Sequence, residues 1–382
     1  MEQSVAAKYS ATMADKRIGR GAALAVSLTF LFFGSAGCSA SEKTDDSAGL
    51  HDTAVTAGSG PEGAAETAAR LSFPLEFETI DMGSDAFPTE RGAYWESPYW
   101  FSEEDLPLVV PLQNGTGGQE VDEHGVVIVD WPGQEEPVYH PVSMAMYGLY
   151  ALEGYDISGE SEYLRRAEAN AQALVDGAED VDGALWFPYA FDHVLNSDES
   201  MKLEAPWYSG MAQGQALDLF SRLCAVTERQ YWCDQADKTF KSFLETDLPG
   251  QSFARVDDEG YLWLEEYVGT APFTEVINGH AYSAFGLAEY ARQTGNEAAA
   301  EMVSGAAATM IHYFENYRLP GGISYYCNAD YCKDSAWQPE NYHRGVGRQF
   351  RILGYLTDVP EFRQMHDLFA DDYDEWVQEN QG

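Results

Sequence analysis

Met211-Ala-Gln-Gly-Gln-Ala-Leu-Asp-Leu-Phe-Ser-Arg-Leu-Cys-Ala-Val226 puts Ala212, Ala216, Leu219, Leu223 and Val226 on one stripe of a helix, and Thr227-Glu-Arg-Gln230 then interrupts the pattern. The arrangement recurs on both sides. Upstream, Val142, Ala145, Met146, Leu149 and Leu152 form a stripe before a break at Gly154-Tyr-Asp-Ile-Ser-Gly159; downstream, Ile277, Ala281, Ala284, Ala288 and Ala291 do so before Thr294-Gly-Asn296. A further helix ends before Thr357-Asp-Val-Pro360, and a second helix follows each break. The first helices begin near Val142, Met211, Ile277 and Tyr342, roughly 65 to 70 residues apart, which is a repeat of helical hairpins. Such hairpins stack into a solenoid or close into a toroid with the first helix of each pair inside. The toroid is favoured here. The expected fold class is therefore mainly α, a helical-hairpin repeat toroid (α/α barrel), preceded by a small β-hairpin or β-sheet segment.

The returns between hairpins carry a glycine followed by aromatic residues: Gly183-Ala-Leu-Trp-Phe-Pro-Tyr189, Gly260-Tyr-Leu-Trp-Leu-Glu-Glu-Tyr267 and Gly322-Ile-Ser-Tyr-Tyr326. They occupy equivalent places in successive repeats, so they gather at one end of the ring. The starts of the inner helices, with Tyr139-His140, Trp207-Tyr208 and Tyr342-His343, lie at the same end. Any one of these side chains alone reads as core packing. Their recurrence at one end reads as a cleft walled by rings, against which a pyranose stacks.

Before the repeats, Lys16, Arg17 and Arg20 precede an apolar run from Ala22 to Phe33 that is short for a membrane span and reads as a secretory signal. It ends in Ser35-Ala-Gly-Cys38, which resembles a bacterial lipobox except that leucine is usual where Ser35 stands. A plain signal peptide cut nearby is the alternative. The organisation expected is 1–38 signal peptide with lipobox, 39–70 flexible linker poor in aromatic residues, 71–136 β-rich segment, and 137–382 toroid. The β-rich reading rests on Leu106-Pro-Leu-Val-Val-Pro-Leu112 and Val126-Val-Ile-Val-Asp-Trp131, with Asn114-Gly-Thr-Gly-Gly118 between them.

With 382 residues, 45% of them hydrophobic, the chain buries at least one sizeable core. Acidic residues number 63 against 22 basic ones, a formal charge of −41 that repels nucleic acid and anionic headgroups. An acidic substrate would have to be met by local positive charge. Beyond Cys38 the cysteines fall into two local pairs, Cys224 with Cys233 and Cys327 with Cys332, which in an exported protein read as disulfides ahead of zinc ligands. Phosphate-binding Gly-rich loops, H-E-x-x-H and G-x-S-x-G are absent from the sequence. The acidic run Val256-Asp-Asp-Glu-Gly260 reads as a solvated turn ahead of a cation site.

Three runs carry a resemblance to a known family. Trp207-Tyr-Ser-Gly-Met-Ala-Gln-Gly-Gln-Ala216, then Trp263-Leu-Glu-Glu-Tyr267 with Val276-Ile-Asn-Gly-His-Ala-Tyr-Ser283, and then Asn341-Tyr-His-Arg344 stand in the order seen in the D-glucuronyl C5-epimerases. Tyr139-His-Pro-Val142 also resembles the start of an inner helix of that family. The resemblance covers about residues 137–375, and the chain looks like a shortened, bacterial, lipoprotein-like version. It implies a helical toroid that inverts C5 of glucuronate to give iduronate in heparan-type chains. The family's Glu-Tyr step matches Glu266 and Tyr267, and its late tyrosine matches Tyr342. A tyrosine in a Gly-rich turn matches Tyr326 or its neighbour Tyr325, where Cys327 follows instead of the family's Asp. The resemblance thus implies catalytic Glu266, Tyr267, Tyr326 and Tyr342. It further implies substrate contacts from Tyr325, His343, Arg344, Arg348, Tyr208, Gln213, Asn278 and Trp186.

The chemistry agrees with the residue types. Removing a proton α to a carboxylate needs a base on one face, an acid on the other, and donors for the enolate-like intermediate. Glu266 and Tyr342 are the expected acid/base pair, their direction left open; Arg344, Arg348 or His343 would take the substrate carboxylate. An ordinary solvated helical face is the competing reading for these arginines. Neither a cofactor nor a metal is called for. The expected partner is an acidic polysaccharide, without nucleic acid, with the membrane reached only through a lipid on Cys38; a homodimer is compatible. A uronan lyase and a non-catalytic polysaccharide-binding surface lipoprotein are the alternative functions.

Overall fold

The computed structural model describes residues 72–88 and 120–380. The signal peptide with Cys38, the linker, Leu106–Leu112 and Asn114–Gly118 lie outside them. Helical hairpins make up most of the described chain: α1 (Pro141–Ser158) with α2 (Ser161–Asp176), α3 (Gly210–Thr227) with α4 (Gln230–Ser242), α5 (Ile277–Thr294) with α6 (Glu297–His312), and α9 (Glu340–Thr357) with α10 (Glu361–Asn380). Short α7 (Phe314–Tyr317) and α8 (Asp330–Asp334) lie between the last two pairs. The inner helices start within two residues of the positions read from the sequence. They pack in chain order, α1 on α3, α3 on α5 and α5 on α9, while each second helix lies against its own first. The fold is a mainly α helical-hairpin repeat of the α/α-toroid class.

Inner helices α3 and α5 are small, apolar or buried over most of their length, from Gly210 to Leu223 and from Ile277 to Ala291, as two-sided burial demands, whereas α9 is amphipathic and carries Arg344, Arg348 and Arg351. The outer α4 buries one face only, through Trp232, Ala236, Thr239 and Phe240. Every inner helix ends on a left-handed residue, Gly159, Glu228, Gly295 or Asp358, which turns the chain into its partner helix. Gly154 does not break α1, contrary to the sequence reading. It sits under the ring of Tyr163, where a Cβ would come within 2.7 Å of Cδ1, so it serves the close approach of α2 and the turn waits for Gly159.

The returns form antiparallel hairpins: β1 (Glu179–Val181) with β2 (Ala184–Trp186), β3 (His193–Val194) with β4 (Lys202–Leu203), and β5 (Ala254–Val256) with β6 (Leu262–Leu264). Asp257 closes the β5–β6 turn by accepting from the N–H groups of Glu259 and Tyr261. Among the described residues no cluster of His, Cys, Asp or Glu is arranged to hold a metal ion. The Val126–Trp131 run makes isolated bridges, Val121 with Val127 and Val129 with Val138, without forming a strand. Residues 72–88 run across the outside of the last repeats: Ser304 bonds both backbone groups of Ile80, and Gly83 and Phe87 donate to Thr357 and Leu356.

Both expected disulfides are present. Cys224–Cys233 ties α3 to α4 across their turn, with Cα atoms 4.9 Å apart, and Cys327–Cys332 closes the loop into α8 at 5.6 Å. They place the domain in an oxidising compartment outside the cytosol. No helix among the described residues is long and apolar enough to cross a membrane.

The tightest contact between inner helices is glycine on glycine. A Cβ on Gly286 of α5 would fall on the carbonyl of Gly214 in α3, and a Cβ on Gly214 would fall on Ser283. Gly347 in α9 has ordinary space, 3.5 Å to Phe369. Thermal melts are expected to show Gly286→Ala destabilised by about 2–3 kcal/mol or more through overpacking. Gly347→Ala is expected to be neutral or stabilised by up to about 1 kcal/mol through helix propensity.

Candidate active site

The site is built where β6 runs on into Glu265-Glu266-Tyr267. This stretch is extended and bonded on both sides: Glu265 donates its N–H to Phe253 O, Gly210 donates to Glu265 O, and Tyr208 and Val268 exchange both backbone bonds at 2.8 and 2.9 Å. An extended chain sends neighbouring side chains to opposite faces. Glu265 therefore turns to Arg255, whose Nε lies 2.8 Å from its carboxylate, and also accepts the N–H of Glu275 at 3.0 Å. Glu266 turns into a cluster of rings.

There the Tyr326 hydroxyl donates to Oε1 of Glu266 at 3.2 Å and lies 3.0 Å from the Tyr267 hydroxyl. Oε2 of Glu266 has no hydrogen-bond partner. It rests against Gly279 in the first turn of α5, where any Cβ would fall on it, so that glycine is required by the close approach. Burial raises the Glu266 carboxyl from its ordinary 4.5 to about 7, with the dipoles of the Tyr267 and Tyr326 hydroxyls and the Gly279 N–H offsetting part of the effect. Tyr342, at the start of α9, sets its ring edge-on to Tyr326 with centroids 4.6 Å apart. Burial and the charge of Glu266 push Tyr267, Tyr326 and Tyr342 all upward, so at neutral pH the three are phenols. The arrangement joins one carboxylate able to take a proton to three hydroxyls able to give one.

Rings extend the cluster in both directions. Trp337 lies tilted against Tyr326 with centroids 4.1 Å apart; Trp207 and His193 each lie 6.0 Å from Tyr267, and Tyr189 stacks on Trp207 at 3.7 Å. His193, half-buried in β3, is driven by burial to a pKa of about 4 and is neutral. His193 and Trp337 were missed by the sequence reading, since one lies in a two-residue strand and the other in a loop, where periodicity gives no signal. His140 caps α1 by accepting the Ser143 N–H and stacks on Trp131 at 4.8 Å.

The structure brings together only part of the expected site. It is the hydroxyl of Tyr326 that bonds Glu266; half-buried Tyr325 donates its backbone N–H to Tyr317 O. Asn278 stands beside Gly279, its Oδ1 without a partner and its carbonyl accepting from Gln349. Arg348 acts electrostatically on Tyr282, which also feels Tyr342 and Glu266, so this arginine borders the cluster. His343 stands apart from the cluster: its ring nitrogens meet the Ser324 N–H and the Phe369 carbonyl, and its ring stacks on Phe369 at 4.4 Å. Arg344 is exposed over Tyr373. Gln213 spends its amide on Phe187, Leu185 and Ser242, holding β2 to α3. Trp186 is fully buried between Tyr208 and Phe253, and Tyr208 donates to Glu179. His343, Gln213, Trp186 and Tyr208 make their contacts within the fold around the site, and Arg344 lies at the surface.

Residues 182–371 match the family model of the D-glucuronyl C5-epimerase C-terminus. The resemblance read from the motifs holds over that segment, which contains Glu266, Tyr267, Tyr326 and Tyr342. No curated protein matches the chain. Among solved structures it is similar to cellobiose 2-epimerase from Bacillus thermoamylovorans, with 12% identity over 69% of this chain and 68% of that one, TM-score 0.47. It is also similar to the Lin0763 protein from Listeria innocua (17%, 63% and 61%, TM-score 0.44) and to an unsaturated glucuronyl hydrolase specific for heparin (14%, 63% and 62%, TM-score 0.43). The chain thus spans about three fifths of the Listeria protein's length.

A carboxyl whose pKa is raised on folding binds more protons folded than unfolded between the two values, so its contribution to stability is lost as pH rises from about 4.5 to about 7. A shift of this size corresponds to roughly 3 kcal/mol. Glu266→Gln is therefore expected to melt several degrees above the parent at pH 8, with the difference vanishing below about pH 4. Equal melting temperatures at pH 8 would show that Glu266 ionises without cost.

Proposed function

We propose that the protein inverts C5 of D-glucuronate residues to L-iduronate in a heparosan- or heparan-like polysaccharide. The observation that carries this reading is Glu266: a buried carboxylate with one oxygen unpartnered, poised near neutrality, and faced by tyrosines from another repeat. Proton abstraction α to a carboxylate asks for a base of that strength and an acid on the opposite face.

In the proposed sequence the Glu266 carboxylate takes the C5 proton, and the electron pair passes into the substrate carboxylate. Arg348 neutralises the charge that builds there, and the hydroxyls of Tyr267 and Tyr326 donate to the intermediate. Tyr342 then gives its proton to C5 from the other face. Its oxygen, now anionic, is a far stronger base than the Glu266 carboxylate, so a proton returns from Glu266 through Tyr326 and restores the starting state. The reverse reaction runs through the same steps backwards. Glu266 thus serves as the base and Tyr342 as the acid in the direction of glucuronate to iduronate. The same reading makes the chain an exported bacterial lipoprotein, acylated at Cys38 and acting on acidic polysaccharide at a membrane surface.

Incubation of heparosan in deuterium oxide is expected to introduce deuterium at C5 without chain cleavage, with a rate that rises through about pH 7 as Glu266 ionises. Glu266→Gln and Tyr342→Phe are expected to lower kcat by about 10²–10⁴ while KM changes only a few-fold, as for loss of a general acid or base. An unsaturated product absorbing in the ultraviolet would replace this reading with a lyase. Absence of C5 exchange on every uronan tested would end it.

A further inference from the structure

We propose that Glu275 is the positioning residue that fixes Glu266 relative to Tyr326; the proposal rests on the epimerase reading of the site. Glu275 precedes α5, stands outside the family-like runs and makes no contact of its own with the reacting cluster. Its backbone N–H donates to Oε2 of Glu265 at 3.0 Å, and its carbonyl accepts the N–H of Asn328 at 3.0 Å. Its two carboxylate oxygens are also engaged, Oε1 by Arg255 at 2.7 Å and Oε2 by the Asn328 amide at 2.6 Å. Four bonds from one residue thus reach three segments. Glu265 is the neighbour of Glu266, Asn328 follows Tyr326 by two residues, and Glu275 itself leads into the turn holding Gly279, on which Glu266 rests.

Arg255 completes the frame by bonding Glu265 and Glu275 together. An antiparallel bridge between Val276 and Cys327 lies beside it, and the Cys327–Cys332 disulfide closes the same loop. The backbone of Glu275 has φ of +58°, a left-handed conformation that L side chains resist and that persists where surrounding contacts over-determine it. Nothing in turn or helix chemistry asks for glutamate there; the two carboxylate bonds, to Arg255 and to Asn328, do. Because the Tyr326–Glu266 bond is already 3.2 Å, a small slip of either loop breaks it.

The frame is tested by kinetics and by infrared titration of the carboxyl band that disappears in Glu266→Gln. Glu275→Ala is expected to lower kcat for C5 exchange about 30- to 100-fold with KM within about threefold, the loss typical of misplacement by about 1 Å. Its Glu266 midpoint is expected to fall from about 7 towards 4.5 as water reaches the loosened carboxyl. Glu275→Gln is expected to recover most of the activity, because its amide oxygen accepts from Arg255 and its amide nitrogen donates to the unpartnered Oδ1 of Asn328 once that amide rotates. If the alanine variant does not fold, Asn328→Ala, which removes one side-chain bond, is expected to move kcat and the midpoint in the same directions by smaller amounts. An unchanged kcat and midpoint in whichever of these two alanine variants folds, or no recovery in Glu275→Gln, would overturn the proposal. Should the parent exchange no C5 hydrogen, the epimerase reading fails by itself, and the titration still decides whether Glu275 holds Glu266.

Discussion

Putting a carboxylate among rings is unfavourable, and the region around Glu266 is arranged so that this one is held there nonetheless. Water is excluded by Tyr267, Tyr326, Trp337 and Trp207, which raises the carboxyl towards neutrality. The remaining polarity, from the Tyr267 and Tyr326 hydroxyls and the Gly279 N–H, offsets only part of that effect. Glu265 differs in its partners: burial raises its carboxyl too, but Arg255 and the Glu275 N–H offset part of that, and its bonds tie it to those two residues instead of leaving an oxygen unpartnered. Two adjacent glutamates acquire opposite roles because an extended backbone points them to opposite sides.

The rest of the fold delivers tyrosines to that carboxylate from separate repeats. Tyr267 comes from the end of β6, Tyr326 from the loop before α8, and Tyr342 from the start of α9. Between the inner helices, the glycine contact of Gly214 and Gly286 sets how closely α3 and α5 pack. Away from the site, the inner helices also bury charge, with Arg222 of α3 bonded to Asp218 on its own helix and to Glu153 on α1. Such pairs add little net stability over apolar packing, yet they penalise any other register of the helices.

The helical period was legible because inner helices buried on both sides need small and apolar residues over several turns. It gave the repeat, the starts of α1, α3, α5 and α9, and the end of the fold at which the aromatic returns gather. The disulfides were legible from the local pairing of Cys224 with Cys233 and Cys327 with Cys332. Adjacency in a motif does not carry helical phase: His343 follows Tyr342 but points about 100° round the helix, towards Phe369 of α10. Gln213 likewise lies in a family-like run yet faces β2. Glycine misled at Gly154, where a punctuator by composition serves as a packing surface. His193, Trp337 and Glu275 gave no signal at all, because loop positions acquire meaning only from what the fold places beside them.

The central claim is that a uronate C5 lies between Glu266 and Tyr342 with one group on each face. A crystal structure of Glu266→Gln with a heparosan oligosaccharide tests it most directly. The account requires C5 within about 3–4 Å of both the introduced side-chain amide at position 266 and the Tyr342 hydroxyl, on opposite faces of the ring, with the carboxylate turned towards Arg348. A uronate bound with both groups on the same face, or seated away from position 266 altogether, would contradict it.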